Sequence, residues 1–140
     1  MSVEKKSIVK RYYDQVWGEG NLGVVDEVMA PEYQNCDPAT PGEVIRGREG
    51  FKAFVTSYRQ AIPDLQLKIG EQWAEGDTVI SRWTVSGTHR GALMGIPPTG
   101  KKVDGLAGVT ISEFAGDRIV RDRAVWDVAG LLRILGVLPG

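Results

Sequence analysis

Asp37 and Asp122 are the residues whose type and setting could do chemistry. Each lies in a run with the period-two alternation of a β-strand. Tyr33, Asn35 and Asp37 share one strand face, with Cys36 on the other; Val120, Asp122, Ala124 and Trp126 share a second. Tyr12, Tyr13 and Trp17 follow one another along a helical stripe near the start of the chain. A carboxylate enclosed by aromatic and aliphatic side chains is desolvated. Its pKa rises, and it becomes a better base for taking a proton from carbon beside a carbonyl. A tyrosine hydroxyl across from it would stabilise the enolate oxygen. Plainer roles stand beside these. Asp37 precedes Pro38 and suits a turn. Asp122 lies between Arg121 and Arg123 and could pair with an arginine across strands. The stripe aromatics could simply be core.

Other chemistries find little support. His89 is the single histidine and Cys36 the single cysteine, so neither a metal ligand set nor a Ser-His-Asp arrangement is expected. His89 is read as bonding the backbone of the loop that follows it, and Cys36 as a small buried hydrophobe. Arg82, opposite in face to Trp83, could meet an acidic partner inside. The glycines match turns rather than a phosphate cradle, and no cofactor is expected.

The 140 residues suit one domain, 1–140, with 42% hydrophobic and 25% charged residues, enough for a core. A formal charge of -1 gives no reason to expect nucleic acid or an anionic membrane as partner. The sequence shows neither the apolar core of a signal peptide nor an apolar run of about 18 residues, and a cytoplasmic location is the expectation.

The elements that must position these residues follow from periodicity and breakers. Helices are predicted over 2–16, with Ser2 as N-cap, over 22–29 and over 47–61. A short strand over 33–37 is broken by Asp37-Pro38 and Thr40-Pro41-Gly42. From Leu65 the period changes to two, giving strands up to Gly76-Asp77, over 78–86, 103–114 and 118–126, and a last helix over 127–135. Helices followed by hairpin-linked strands predict an α+β domain, the helices covering the concave face of a curved antiparallel sheet and enclosing a pocket. The glycine- and proline-rich stretch 87–102 contains Leu93, Met94 and Ile96, which are expected to pack at one end of the barrel or across a dimer.

Several strings along nearly the whole chain carry a family resemblance: Tyr33-Gln34-Asn35-Cys36-Asp37-Pro38, Ala61-Ile62-Pro63-Asp64-Leu65, Gly87-Thr88-His89-Arg90-Gly91, Gly95-Ile96-Pro97-Pro98-Thr99-Gly100-Lys101 and Trp126-Asp127-Val128-Ala129-Gly130-Leu131-Leu132. In them the chain resembles the SnoaL-like polyketide cyclases (ester cyclases) of the NTF2-like superfamily. The resemblance implies a cone-shaped α+β barrel, a homodimer built on the outer sheet face, and a cavity for a hydrophobic small molecule. It implies a cofactor-independent cyclase or isomerase working by acid/base proton transfer on a carbonyl-bearing, polyketide-like or polycyclic substrate. Epoxide or ester hydrolysis and non-catalytic binding are the alternatives. The cyclases' acid/base carboxylate falls, in register, at Ala124. Asp122 lies two residues earlier on the same face, about 7 Å away by strand rise. A polar or imidazole side chain of the cyclases falls near Thr110. Asp37 matches the general base of the steroid isomerases, and Tyr12 or Tyr13 their oxyanion donor; the second donor of those isomerases has no match near Val109 or Thr110. Asn35 matches a polar pocket residue of the cyclases. The candidate site is therefore Asp122 and Asp37 as acid/base, with Tyr12, Tyr13, Trp17, Asn35 and Trp126 contacting substrate.

Overall fold

Val9, Tyr12 and Val16 recur at helical spacing, and all three are buried. In the computed structural model, which describes residues 2–39 and 42–139, they belong to helix α1 (Ser2–Tyr12) and to a single π-helical turn that continues it, Tyr13–Trp17. The sequence predicts one uninterrupted helix here. The wider turn, closed by the Gly18 N–H on the Tyr13 carbonyl at 3.1 Å, brings Tyr12, Tyr13, Val16 and Trp17 to the same buried side. The expected cap at Ser2 and the break at Thr40-Pro41 lie outside the described side chains and residues.

Helix α2 (Gly23–Val28) leads straight into strand β1 (Met29–Cys36), which starts earlier than predicted. A two-residue strand, β2 (Ile45–Arg46), precedes helix α3 (Gly47–Ala61) and is too short to leave a periodic signal. Strands β3 (Gln66–Glu75), β4 (Thr78–Thr88), β5 (Lys102–Ala115) and β6 (Arg118–Trp126) follow, then helix α4 (Val128–Ile134). Asp127 caps α4 by accepting the Gly130 N–H at 2.8 Å. A Cβ on Gly130 would fall 2.3 Å from that carboxylate, which accounts for the glycine.

The strands form one six-stranded sheet in the order β2-β1-β6-β5-β4-β3, without closure. It is mixed rather than purely antiparallel: β1 runs parallel to β6, with Asn35 beside Asp122. Three reversals fix the direction of β6, whereas β1 reaches the sheet through helices and is not bound to a hairpin partner. Register shifts in β3 between Ile69 and Gln72, and in the β4–β5 pair between Val85 and Gly87, bend the sheet. The result is the α+β architecture of a curved sheet with helices packed on its concave face. There Phe51 of α3 meets Tyr12, Trp17 and Tyr33 edge-on at centroid distances of 5.8, 6.1 and 5.2 Å.

His89 does hold the glycine–proline loop. Its Nδ1 accepts the Thr99 N–H at 3.2 Å and lies 2.9 Å from the Thr99 hydroxyl, while its backbone pairs with Gly100 and Lys101. Leu93 is buried, and Leu93 and Ile96 exchange backbone bonds around Met94 and Gly95, both at positive φ, as in a primed hairpin turn. Arg82 does not reach an interior acid. It lies on the outer sheet face, paired with Glu71 at 3.1 Å, because strand alternation turns it away from Trp83. Cys36 is half-buried. Among the described residues no helix is long and apolar enough to cross a membrane, and no group of three or more His, Cys, Asp or Glu side chains could hold a metal ion.

Candidate active site

The concave face and the helices over it enclose a cavity of about 80 Å³ that opens to solvent at its mouth. Tyr12, Tyr13 and Trp17 line it from the first helix and its π turn, Phe54 and Tyr58 from α3, Asn35 and Asp37 from β1 and just beyond, and Trp83, Thr110, Ala124 and Trp126 from the sheet. Among the described residues Asp37 is the one charged side chain in the lining. The cavity thus offers an apolar enclosure with a single carboxylate.

Asp37 is held from two sides. The Ala39 N–H donates to its Oδ1 at 2.9 Å, and the Trp126 indole N–H lies 3.2 Å from each of its oxygens. Burial pushes its pKa above the ordinary carboxylate value, and these donors only partly offset that. The turn role and the cavity role therefore coincide in one side chain: the first bond is an Asx-type turn, and the second aims the carboxylate across the cavity wall.

Asp122 occupies a different place. It is fully buried and does not border the cavity. Its Oδ2 accepts the hydroxyls of Tyr12 at 2.9 Å and Tyr33 at 2.6 Å, and its Oδ1 accepts that of Ser112 at 2.6 Å. Among the described residues no arginine pairs with it. Arg121 and Arg123 project from the opposite face and meet Glu113. Burial raises the pKa of Asp122 against the lowering pull of its three donors. The same burial, reinforced by the Asp122 charge, raises those of Tyr12 and Tyr33.

The hydroxyls of the first helix are thereby committed. Tyr12 gives its proton to Asp122. The Tyr13 hydroxyl makes a very short contact with the Thr110 hydroxyl, which also accepts the Trp83 indole N–H at 2.9 Å. Asn35 donates its amide to the Tyr33 oxygen at 2.9 Å, leaving its Oδ1 buried and without a partner. Ala124 faces the cavity directly opposite Thr110, so the wall carries a methyl group there. The structure thus brings Asp37, Tyr12, Tyr13, Trp17, Asn35 and Trp126 to one cavity and sets Asp122 behind it.

Tyr58 is a lining residue that is not among the sequence-predicted site residues. The i, i+4 spacing from Phe54 that marks it as core equally turns it toward the cavity, and nothing local separates the two. Gly108 has a defined job. It pairs with Trp83 on one side and Trp126 on the other, and a Cβ there would fall 2.4 Å from the Trp83 ring. Glycine at this point lets two tryptophans flank the cavity floor.

The model of the SnoaL-like polyketide cyclase family matches residues 7–135. The chain belongs to that family. As a SnoaL-like protein it is 30% identical, over 124 residues, to the aklanonic acid methyl ester cyclase DnrD of Streptomyces peucetius, covering 87% of this chain and 84% of that protein. Its structure superposes on TsrD of Streptomyces laurentii with a TM-score of 0.85 at 26% identity, over 97% of each chain. A candidate SnoaL-like polyketide cyclase from a Jannaschia species gives a TM-score of 0.90 at 24% identity, over 99% of this chain and 96% of that one, a likeness of fold.

Proposed function

We propose that this SnoaL-like protein is a cofactor-independent enzyme that moves a proton beside a carbonyl of a hydrophobic, polyketide-like small molecule, catalysing cyclisation or isomerisation. The observation that carries the reading is Asp37: one carboxylate, its pKa raised by burial, in the wall of an otherwise uncharged cavity. Asp37 takes the proton from the carbon next to the carbonyl. The C–H electron pair becomes the C=C bond of an enolate, and the carbonyl π pair moves to oxygen. In an isomerisation the Asp37 carboxyl returns the proton to another carbon of the conjugated system. In a ring closure the enolate carbon attacks a second carbonyl of the same molecule, a C–C bond forms, and the new alkoxide takes the proton from Asp37. Each route returns Asp37 to its starting state without a redox partner. Asp122 holds the hydroxyl of Tyr12, whose ring forms part of the wall.

The second reading is a non-catalytic small-molecule binder, favoured by Ala124, which puts a methyl group at the wall where the cyclases' carboxylate falls in register. One experiment separates the two. Wild type and Asp37→Asn are incubated in deuterium oxide with apolar aryl ketones, and exchange of the α-hydrogens is followed by NMR. The enzyme reading expects catalysed exchange that falls by about 100-fold or more in the variant, with ketone affinity retained. Binding without exchange in the wild type establishes the binder.

We also propose a homodimer that covers the outer sheet face. Trp73 and Val125 are 50% and 67% exposed there. Ile80 and Ile111 pair across strands, as do Val109 and Val125, so this apolar surface is continuous over four strands.

A further inference from the structure

The chain has four tyrosines, and three have spent their hydroxyls. Tyr12 and Tyr33 donate to Asp122, and Tyr13 is engaged with Thr110. The fourth, Tyr58, lines the same cavity as Asp37, and its hydroxyl makes no hydrogen bond with any described residue. Its ring is fixed all the same: Phe54 packs at a centroid distance of 5.0 Å, and Trp17 meets it edge-on at 6.0 Å. α3 therefore presents an oriented phenol with an unspent proton to the cavity that Asp37 faces.

We infer that Tyr58 is a catalytic residue, the hydrogen-bond donor to the substrate oxygen that becomes anionic when Asp37 removes the α-proton. This rests on the proton-transfer reading above and replaces the expectation that Tyr12 or Tyr13 fills that role. Donation from Tyr12 would strip a donor from the buried Asp122, an exchange that cancels much of the gain, and the Tyr13 hydroxyl is already held against that of Thr110. Donation from Tyr58 breaks no bond within the protein. The Asp37 charge also raises the Tyr58 pKa, after burial, which keeps the phenol protonated and places the two groups within each other's field. An oxygen held by Tyr58 thus lies in the same cavity as the base that takes the proton from the neighbouring carbon. Lysine, arginine and histidine are absent from the described lining, so the oxyanion is met by a neutral donor.

The test uses 4-nitrophenolate as a stable stand-in for the enolate, with its absorption band as a direct report on hydrogen bonding to its oxygen. It is titrated into Asp37→Asn, which mimics the carboxyl once it has taken the proton. The expected result is saturable binding of the phenolate with its band held close to the position in buffer, as a hydrogen-bonded oxygen requires. Adding Tyr58→Phe should weaken binding about tenfold to a hundredfold, the value of a hydrogen bond to a charged acceptor, and shift the band to the red, as for a phenolate without a donor in an apolar medium. Adding Tyr33→Phe, whose hydroxyl serves Asp122 and which is not part of the cavity lining, should leave binding within about twofold and the band in place. Binding and band unchanged by Tyr58→Phe overturn the proposal, as does the same loss and shift in Tyr33→Phe. Failure of Asp37→Asn to bind the phenolate at all overturns it too. The deuterium-exchange comparison of wild type and Asp37→Asn decides separately whether Asp37 is the base.

Discussion

The indole N–H of Trp126 lies 3.2 Å from both carboxylate oxygens of Asp37, linking the last strand of the sheet to the end of the first. The sheet order places β1 next to β6, and the parallel register brings their C-terminal ends together at the cavity. Trp126 thereby both stabilises the charged form of Asp37 and aims it.

Removing that donor has a signed consequence. The Trp126 bond lowers the pKa of Asp37 against the larger raising effect of burial. Trp126→Phe should therefore raise it further, so that the carboxylate base is lost earlier as pH falls. The acid limb of the pH profile of kcat/KM for α-proton exchange is expected to move to higher pH, with a loss of about tenfold at neutral pH. A profile that stays in place while the rate falls would mean that Trp126 only shapes the wall.

Asp122 should show itself in stability rather than in turnover. Its folded-state pKa is raised above the ordinary 3.8 by burial. The folded chain therefore keeps its proton where the unfolded chain has lost it. The stability so contributed is complete below the ordinary value and is lost as pH rises through the raised one. Asp122→Asn does not titrate. The melting temperature of the variant minus that of wild type should accordingly rise by about 3 °C or more between about pH 4 and pH 8. A difference that is flat with pH would refute this linkage, whatever its constant offset.

Gly108 offers a steric test. Its Cβ would fall 2.4 Å from the Trp83 ring and 2.8 Å from Trp126 Cβ. Gly108→Ala must push an indole into the cavity or shift a strand. It should cost about 1–3 kcal/mol in denaturant unfolding and weaken binding of an aryl ketone about tenfold. Gly70→Ala, whose Cβ would meet the Arg82 carbonyl at an ordinary 3.6 Å, is expected to change stability by less than about 1 kcal/mol and to leave binding intact.

The outer face carries the proposed dimer. Val125 is its most exposed apolar side chain and points away from the cavity lined by its neighbours Ala124 and Trp126. Sedimentation of the wild type should give a dimer, and Val125→Glu a monomer or a dimer about tenfold weaker, with α-proton exchange per chain retained within about threefold. A wild type that sediments as a monomer at high concentration rejects the dimer.

Sequence alone determined the elements and their faces, because alternation and helical spacing are local consequences of backbone geometry. It showed that Asn35 and Asp37 share a face, that Ala124 and Trp126 share another, and that the chain resembles a particular family. It left the π turn and the two-residue strand β2 unseen, the first because its extra residue makes no mark on the pattern. Tertiary structure decided which polar groups remain available. Tyr12 and Asp122 are 110 positions apart, and Tyr13 and Thr110 are 97 apart, yet each pair is in contact. A buried hydroxyl must find a partner across such distances, and one that gives its proton to a partner is spent. That contact requirement set Asp122 behind the wall and left Asp37 and Tyr58 facing the cavity, an assignment that strand and helix periodicity alone could not make.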